Sequence, residues 1–119
     1  MEPIIKIIAM PKDGNADGDV FGGWILSMMD LAGGTYAKKV ARNRVVTVAV
    51  DKMVFHKPVF IGDCLECFAE TVKIGSTSLT VKVDAYVERK SGGDKEKVTE
   101  GVFVFVAIDQ DRRPVKLSI

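Results

Sequence analysis

The chain has 119 residues, enough for one compact domain and few for two, so we expect residues 1–119 to form a single domain. Hydrophobic residues make up 47% of the sequence, a large share for a short chain with little interior, which indicates that some apolar surface is buried between subunits. Seventeen lysines and arginines against sixteen acids give a net charge of +1. This balance argues against a nucleic-acid binder, and any anionic partner must be bound by local groups.

No targeting signal is visible in the sequence. The chain passes from Met1 almost directly into the isoleucine-rich residues 4–8, without the basic region and long apolar run of a secretory signal. No stretch approaches the roughly 18 consecutive apolar residues that span a bilayer. We therefore expect a cytoplasmic protein that does not bind membranes.

The first third of the sequence predicts a strand, a loop and a long helix. Residues 3–10 are rich in isoleucine and favour a strand, and residues 11–19 concentrate the Gly, Asp, Asn and Pro that break regular structure. Residues 22–41 contain no proline. Within them, larger side chains recur at helical spacing, at Trp24, Met28, Leu31 and Thr35. This spacing predicts one long helix.

The remaining sequence predicts four strands. Residues 45–55 are rich in valine, residues 64–74 follow after Gly and Pro breakers, and residues 79–88 alternate apolar and polar side chains as a half-buried strand does. Residues 102–108 are apolar throughout, which favours a central strand. The element order β-α-β-β-β-β predicts an α+β fold in which an antiparallel sheet of about five strands curves around one long helix. Other α+β sheets can have the same element order.

One face of the predicted helix carries an acid among small residues. Steps of 100° place Asp30 on the same side as Gly23, Ser27, Gly34 and Ala37. The adjacent Gly33 and Gly34 each cost a helix about 0.5–1 kcal/mol relative to alanine, which calls for a packing or an access reason. Space beside Asp30 would admit a substrate, whereas a buried structural acid is the alternative interpretation.

The run NADGDVFGGWILSMMD, residues 15–30, resembles the N-x-x-G-D-x-F-G-G-W…M-D signature of the YciA-type acyl-CoA thioesterases, which are single-domain hotdog proteins. This match is long and specific. It continues through residues 45–50, 57–59, 62–63 and 75–78, so the resemblance covers most of the chain up to about Asp109.

The resemblance implies a hotdog enzyme that hydrolyses acyl-CoA thioesters to carboxylic acid and coenzyme A, with no cofactor and no metal. It implies a homodimer formed by joining two sheets, with two sites at the interface, and often a homohexamer built as a trimer of dimers. Asp30 matches the catalytic carboxylate, a general base or a nucleophile. Gly22 and Gly23 match the pair whose backbone N–H polarises the thioester oxygen.

Asn15 matches the position at which related two-domain thioesterases have an asparagine paired with the aspartate across the interface. Its amide could orient water or bind the carbonyl oxygen. The alternative is a turn-forming role, because Asn15 lies in a loop rich in Gly and Asp.

Less specific features of the sequence predict further contacts to the substrate. The coenzyme A phosphates need cations, and the candidates are Arg89 and Lys90, or the group after the helix, Lys38, Lys39, Arg42 and Arg44. The turn containing Gly75, Ser76 and Ser78 is a candidate contact for pantetheine. Thr47 is a weaker candidate, because a β-branched residue in a strand needs no functional explanation.

Several other sites are not favoured by the sequence. Cys64 and Cys67 form a C-x-x-C, but in a strand their side chains would point to opposite faces, and two ligands underfill a tetrahedral metal site. Residues 13–19 open like an EF-hand loop, but Trp24 stands where a glutamate is required. The single histidine, His56, is a weak catalytic candidate.

Two functional alternatives remain within the hotdog fold. A hotdog acyl-CoA hydratase would pair an aspartate with a histidine in a D-x-N-P-x-H signature, which this sequence does not contain. A non-catalytic acyl-CoA sensor would normally carry a fused DNA-binding segment.

Overall fold

The computed structural model describes all residues, 1–119. It contains five strands and one 20-residue helix: β1 (Ile5–Ile8), α1 (Gly22–Ala41), β2 (Val45–Phe55), β3 (Cys64–Ile74), β4 (Ser78–Glu88) and β5 (Glu96–Ala107). The strands form one antiparallel sheet in the order β1-β3-β4-β5-β2. A one-turn 3-10 helix, Pro11–Asp13, lies between β1 and α1. The predicted α+β architecture is confirmed.

The sheet buries one face against α1. In β4 every second side chain is buried, at Leu79, Val81, Val83, Ala85 and Val87, as the alternating pattern predicts. These side chains belong to a core cluster of 17 buried residues. No helix here combines the length and the apolar character that crossing a membrane requires.

The predicted helix is confirmed over Gly22–Ala41, and of its regularly spaced larger side chains only Trp24 and Met28 pack against the core. The helix packs on the sheet through Ile25, Met29, Ala32, Gly33 and Ala37, whereas Leu31 is 57% exposed and Thr35 is also exposed. The reason is the close approach of helix and sheet. A Cβ at Gly33 would lie only 3.1 Å from Cζ of Phe105 and 3.2 Å from Cγ2 of Val83, so the small residues face the core.

The strand β5 starts at Glu96, earlier than residue 102. Its polar first half pairs with β4, and Lys97 there forms ion pairs with Asp84 at 3.2 Å and with Glu100 at 3.1 Å. The prediction of a central strand is confirmed, since β5 lies between β4 and β2.

The two cysteines lie on opposite faces of β3, as predicted for residues three apart in a strand. Cys67 is fully buried in the core, and Cys64 is partly exposed on the other face; both are free thiols. Burial raises the pKa of Cys67 to about 12, so this thiol is neutral and unreactive at neutral pH.

Strand β2 is an edge strand with an apolar, exposed surface. It pairs only with β5, and its exposed residues include Val48 (55%), Val50 (44%), Val54 (44%) and Phe55 (50%). The pairing is interrupted between Thr47 and Ala49 and again between Asp51 and Val54. A long apolar edge is a template for pairing with another chain, so β2 is a candidate surface for contact with a second subunit.

Candidate active site

Helix α1 begins with two glycines whose amides are unpaired. The N-cap residue, Phe21, has an extended backbone, and its side chain makes no capping hydrogen bond. The first intrahelical donors are the amides of Trp24 and Ile25, while those of Gly22 and Gly23 donate to no group in the chain. The first turn also contains no acid. The helix start therefore offers free N–H groups and a positive dipole end, which suit an oxyanion.

The two glycines differ in what surrounds them. A Cβ at Gly22 would contact the ring of Phe55 at 3.5 Å, an ordinary packing distance. A Cβ at Gly23 would meet no atom within 4 Å. Packing within the subunit therefore gives no reason for glycine at position 23, whereas close approach of a ligand to the helix start would.

The central feature of the site is a hydrogen bond between α1 and β2. The Thr47 hydroxyl donates to Oδ1 of Asp30 at 2.7 Å. No other group in the chain hydrogen-bonds to Asp30, which is half-buried, so its second oxygen is free. Thr47, for which the sequence alone gives little functional evidence, is thus the hydrogen-bond partner of Asp30.

Asp30 and Thr47 line an open depression of about 350 Å³. Its other lining residues are Leu31, Gly34, Thr35, Lys38, Arg44, Val45 and Phe105. A Cβ at Gly34 would contact Phe105 at 3.6 Å, an ordinary distance, so a side chain there would occupy the depression without disturbing the core. Of the two mid-helix glycines, Gly33 packs closely against the core, and Gly34 lines the open depression.

Asn15 has a turn-forming role within its own chain. Its Oδ1 accepts hydrogen bonds from the amides of Asp17 at 2.9 Å and Asp19 at 3.1 Å, and its own amide donates to the Asp19 carbonyl. The side-chain Nδ2 donates to no group in the chain. Asn15 therefore fixes the loop before α1 while its exposed amide group stays available, and it makes no hydrogen bond to Asp30 of the same chain.

Arg89 is engaged by acids of its own chain. Its guanidinium donates to Asp63 at 2.6 Å, to Glu96 at 3.0 Å and to the Pro58 carbonyl at 2.9 Å, and it lies 5.4 Å from the Phe60 ring centroid. Burial alone would lower the pKa of Arg89, but the hydrogen bonds to the two acids raise it above its ordinary value. The guanidinium therefore links Asp63, Glu96 and the Pro58 carbonyl within the subunit. Because its charge is already paired with two acids, it is a poor ligand for a phosphate.

Lys90, in contrast, forms no ion pair. Its backbone amide donates to Asp63 at 3.3 Å, and its aliphatic stem lies over Gly62, where a Cβ would be 2.9 Å from Cδ of Lys90. The ammonium group of Lys90 is thus free, on the exposed side of the Asp63 network.

The turn at residues 75–78 lies at the opposite end of β4 from Arg89 and Lys90. Strand β4 has 11 residues, a span of about 35 Å at the usual rise. The turn is closed by a bond from the Gly75 amide to the Ser78 carbonyl, and the Leu117 amide donates to the Ser76 carbonyl. One substrate molecule could touch both predicted regions only if they came from different subunits.

A comparison with known proteins identifies the family. Residues 17–92, more than half of the chain, match the family model described as the thioesterase superfamily. The chain belongs to the thioesterase superfamily. Among the similar superfamily members, the acyl-CoA thioester hydrolase YciA of Salmonella typhimurium is 42% identical over 121 residues, covering 99% of this chain and 91% of that protein. The predicted resemblance is confirmed.

Solved structures of the superfamily agree with the fold. The hexameric thioesterase y2039 from Yersinia pestis has a TM-score of 0.94 and 43% identity, with 99% of this chain and 96% of that chain covered. Cj0915, a hexameric hotdog fold thioesterase of Campylobacter jejuni, has a TM-score of 0.92 and 41% identity, with 99% and 91% covered. The predicted hotdog fold is confirmed.

Proposed function

We propose that this thioesterase hydrolyses acyl-CoA thioesters to a carboxylic acid and coenzyme A, with Asp30 as the catalytic carboxylate. The observation that carries this proposal is the bond from Thr47 to one oxygen of Asp30, which orients the carboxylate and leaves its second oxygen free in an open depression. The substrate class is supported by the similarity to YciA, an acyl-CoA thioester hydrolase.

The free oxygen of Asp30 supports hydrolysis in two ways. As a general base, it takes a proton from water while the water oxygen attacks the thioester carbon, and the proton then passes to the departing thiolate. As a nucleophile, it attacks the carbon itself, coenzyme A leaves, and water cleaves the resulting anhydride. In both routes a helix-start amide, Gly22 or Gly23, stabilises the carbonyl oxygen as it becomes negative.

Isotope labelling separates the two routes. In a single turnover in H₂¹⁸O with excess enzyme, a general base puts the heavy oxygen into the released acid. A nucleophilic Asp30 puts it into the Asp30 carboxylate if water attacks the enzyme carbonyl of the anhydride, and mass spectrometry of the digested protein detects that label.

The complete site requires two subunits. Seven residues separate Gly23 from Asp30, about 10 Å along the helix axis, so the oxyanion donors and the carboxylate of one chain are far apart for one small reacting group. Thr47 lies in the edge strand β2, and its partner Asp30 therefore lies at the free edge of the sheet. A second copy that pairs at β2 would reach this carboxylate.

A two-fold axis through β2 would bring the helix start and the Asn15 loop of a second subunit close to Asp30. In an isologous antiparallel pair centred on β2, the beginning of one strand faces the end of the other. Thr47 lies near the beginning, and Phe55, at the end, packs against Gly22 at the helix start. This pairing would place the helix start and the Asn15 loop of the second subunit next to Asp30 of the first.

The proposed assembly is therefore a homodimer, extended to a homohexamer as a trimer of dimers. The hexameric state of y2039 and Cj0915, and the apolar exposed surface of β2, support it. The proposed mechanism uses no metal or cofactor, and a cytoplasmic location stays a prediction.

The test is a hydrolysis panel of acyl-CoAs from acetyl to palmitoyl, followed by release of free thiol, with Asp30→Asn as the matched variant. We expect hydrolysis by the wild type and its loss in the variant. Binding without hydrolysis, measured by calorimetry, would favour the sensor alternative. Absence of both binding and hydrolysis would overturn the proposed substrate class.

A further inference from the structure

The proposed mechanism does not use the buried ion pair between Asp63 and Arg89. The side chain of Asp63 is 2% exposed and that of Arg89 is 18% exposed. Removing two charges from water is costly, and a buried ion pair often contributes no more to stability than apolar side chains of the same size would. Stability alone therefore does not explain why the chain has this pair, and a role in fixing one particular backbone geometry is the alternative.

The pair holds a short segment, residues 58–60, from two sides. The NH1 group of Arg89 donates to the Pro58 carbonyl at 2.9 Å and to Oδ2 of Asp63. The same Oδ2 accepts a hydrogen bond from the Phe60 amide at 2.9 Å, and the guanidinium lies 5.4 Å from the centroid of the Phe60 ring. Arg89 thus binds the beginning of the segment directly and its end through Asp63.

Segment 58–60 contacts the chain immediately before α1. The Val20 amide donates to the Val59 carbonyl at 2.8 Å, and Asp19 pairs with Phe60 in an isolated antiparallel bridge. Val59 is fully buried. The backbone is therefore held by this segment two residues before Gly22, where the unpaired amides of the helix start begin.

The helix start has no local cap that would fix its direction. The N-cap side chain, Phe21, makes no capping hydrogen bond. The backbone before it is held by segment 58–60 and, at Val20, by a bridge to Gly14 in the Asn15 loop. Gly22 and this segment also line a common depression of about 270 Å³, so they are not packed tightly together. A displacement of segment 58–60 would therefore move the helix-start amides.

We propose that Arg89 is a positioning residue for thioester hydrolysis, an inference that rests on the proposed function. Arg89 touches no substrate. By holding segment 58–60 it directs the amides of Gly22 and Gly23 at the thioester oxygen. Oxyanion donors are effective only within a narrow range of distance and direction, so a small displacement lowers the rate of the chemical step more than it weakens substrate binding.

The kinetic test compares Arg89→Gln with Arg89→Lys. In Arg89→Gln we expect kcat for acyl-CoA to fall about tenfold or more with KM unchanged, because the oxyanion donors are displaced. Arg89→Lys keeps a cation for Asp63, which protects the fold, but an ammonium lacks the planar fork that also reaches Pro58 and Glu96. Its kcat should lie between those of the wild type and Arg89→Gln. An unchanged kcat in both variants, or a raised KM in Arg89→Gln that lysine restores, would overturn the proposal.

A spectroscopic test measures the helix start itself. With selective ¹⁵N labelling of the eleven glycines, the amide resonances of Gly22 and Gly23 should shift in both Arg89 variants. Those of Gly33 and Gly34, in the middle of α1, should stay at their wild-type positions. An Arg89 that only stabilised its own ion pair would leave the Gly22 and Gly23 resonances unchanged, and that result would exclude a positioning role.

The matched control is Lys95→Gln. It removes the cation from Glu66, a carboxylate that is 2% exposed like Asp63, and no hydrogen bond or ion pair joins Lys95 to segment 58–60. This variant should keep the wild-type kcat and the wild-type resonances of Gly22 and Gly23. Equal shifts in Lys95→Gln would contradict a specific role of Arg89. If the wild type hydrolyses no acyl-CoA, the proposed function fails, and the glycine resonances still decide whether Arg89 positions the helix start.

Discussion

The hydroxyl of Thr47 donates to Oδ1 of Asp30 at 2.7 Å, joining the middle of the helix to the edge strand of the sheet. This bond fixes one carboxylate oxygen and leaves the other for chemistry. It also means that the position of Asp30 depends on β2, the strand that a second subunit would pair with. The proposed catalytic role of Asp30 and the proposed pairing at β2 are therefore linked through this one side-chain contact.

Asp30→Asn should lower kcat by at least about 100-fold with the fold retained, because it removes the general base or nucleophile.

Thr47→Val should lower kcat by about tenfold, because it removes one hydrogen bond to a charged group, which contributes about 1.4 kcal/mol. Thr47→Ser keeps the hydroxyl and should restore most of the activity. Steady-state kinetics and circular dichroism check these outcomes, and a fully active, folded Asp30→Asn enzyme would refute the assignment.

Val50→Lys should convert the assembly to monomers and abolish most activity, because it places a charge on the apolar edge of β2. Light scattering measures the mass, and circular dichroism shows whether the subunit stays folded. The matched control is Val72→Lys, which adds the same charge at a similarly exposed valine on β3. An active Val50→Lys monomer at assay concentration would contradict a site shared between subunits.

The adjacent glycines of α1 should respond to alanine in opposite ways. Gly34→Ala should raise the free energy of unfolding by about 0.5–1 kcal/mol, since alanine favours a helix and the added Cβ meets Phe105 at an ordinary distance. Its methyl group should also lower kcat/KM by entering the depression. Gly33→Ala should destabilise the protein, because its Cβ would press against buried Phe105 and Val83. Denaturant unfolding and kinetics measure both effects.

The sequence predicts most of the fold because its elements have clear local signals. The bounds of α1, β2 and β3 agree with the prediction, since each β-branched or proline-free run ends at Gly, Pro or charged residues. The start of β5 was not predictable in this way. Its first residues are polar, and they are held in the sheet by pairing with β4 and by ion pairs such as Lys97–Asp84, which are contacts distant in sequence.

The site is less visible in the sequence, because its geometry depends on tertiary register. The motif predicts Asp30 as a site residue, but the hydrogen-bond partner of Asp30, Thr47, lies 17 residues away on another element. Arg89 is a reasonable phosphate ligand by charge, and only the folded chain shows that Asp63 and Glu96 occupy it. The role of Asn15 in catalysis stays a prediction, since its visible hydrogen bonds are those of a turn.

The free energy of unfolding should fall at acid pH, because the carboxylates of Glu96 and Glu100 in β5 become protonated. Hydrogen bonds from Lys57 and then Arg89 lower the pKa of Glu96, and those from His56 and then Lys97 lower the pKa of Glu100. A carboxyl with a lowered pKa in the folded state binds fewer protons than in the unfolded state, so it stabilises the protein above the ordinary glutamate pKa of about 4.3. This contribution should disappear as the pH falls from that value through the lowered folded pKa values.

Thermal unfolding between pH 7 and pH 3 checks this. The difference in Tm between the wild type and Glu96→Gln should be present at pH 7 and shrink toward zero at the acid end. Glu2→Gln removes an exposed carboxyl without an ion pair and should show a Tm difference that stays constant with pH. A constant difference for Glu96→Gln as well would contradict the proposed stabilisation.

Asn15 and Asp30 of different subunits should complete one site, because Asn15 lies before the helix start and makes no hydrogen bond to Asp30 of its own chain. Asn15→Ala and Asp30→Ala chains, each nearly inactive alone, are refolded together. About half of the dimers are then mixed, and each mixed dimer has one site with both residues intact, so activity should recover to about a quarter of wild type. If both residues served the site of one subunit, every site would keep one lesion. With subunit exchange verified by mass spectrometry and both variants folded, no recovery would therefore exclude the shared site.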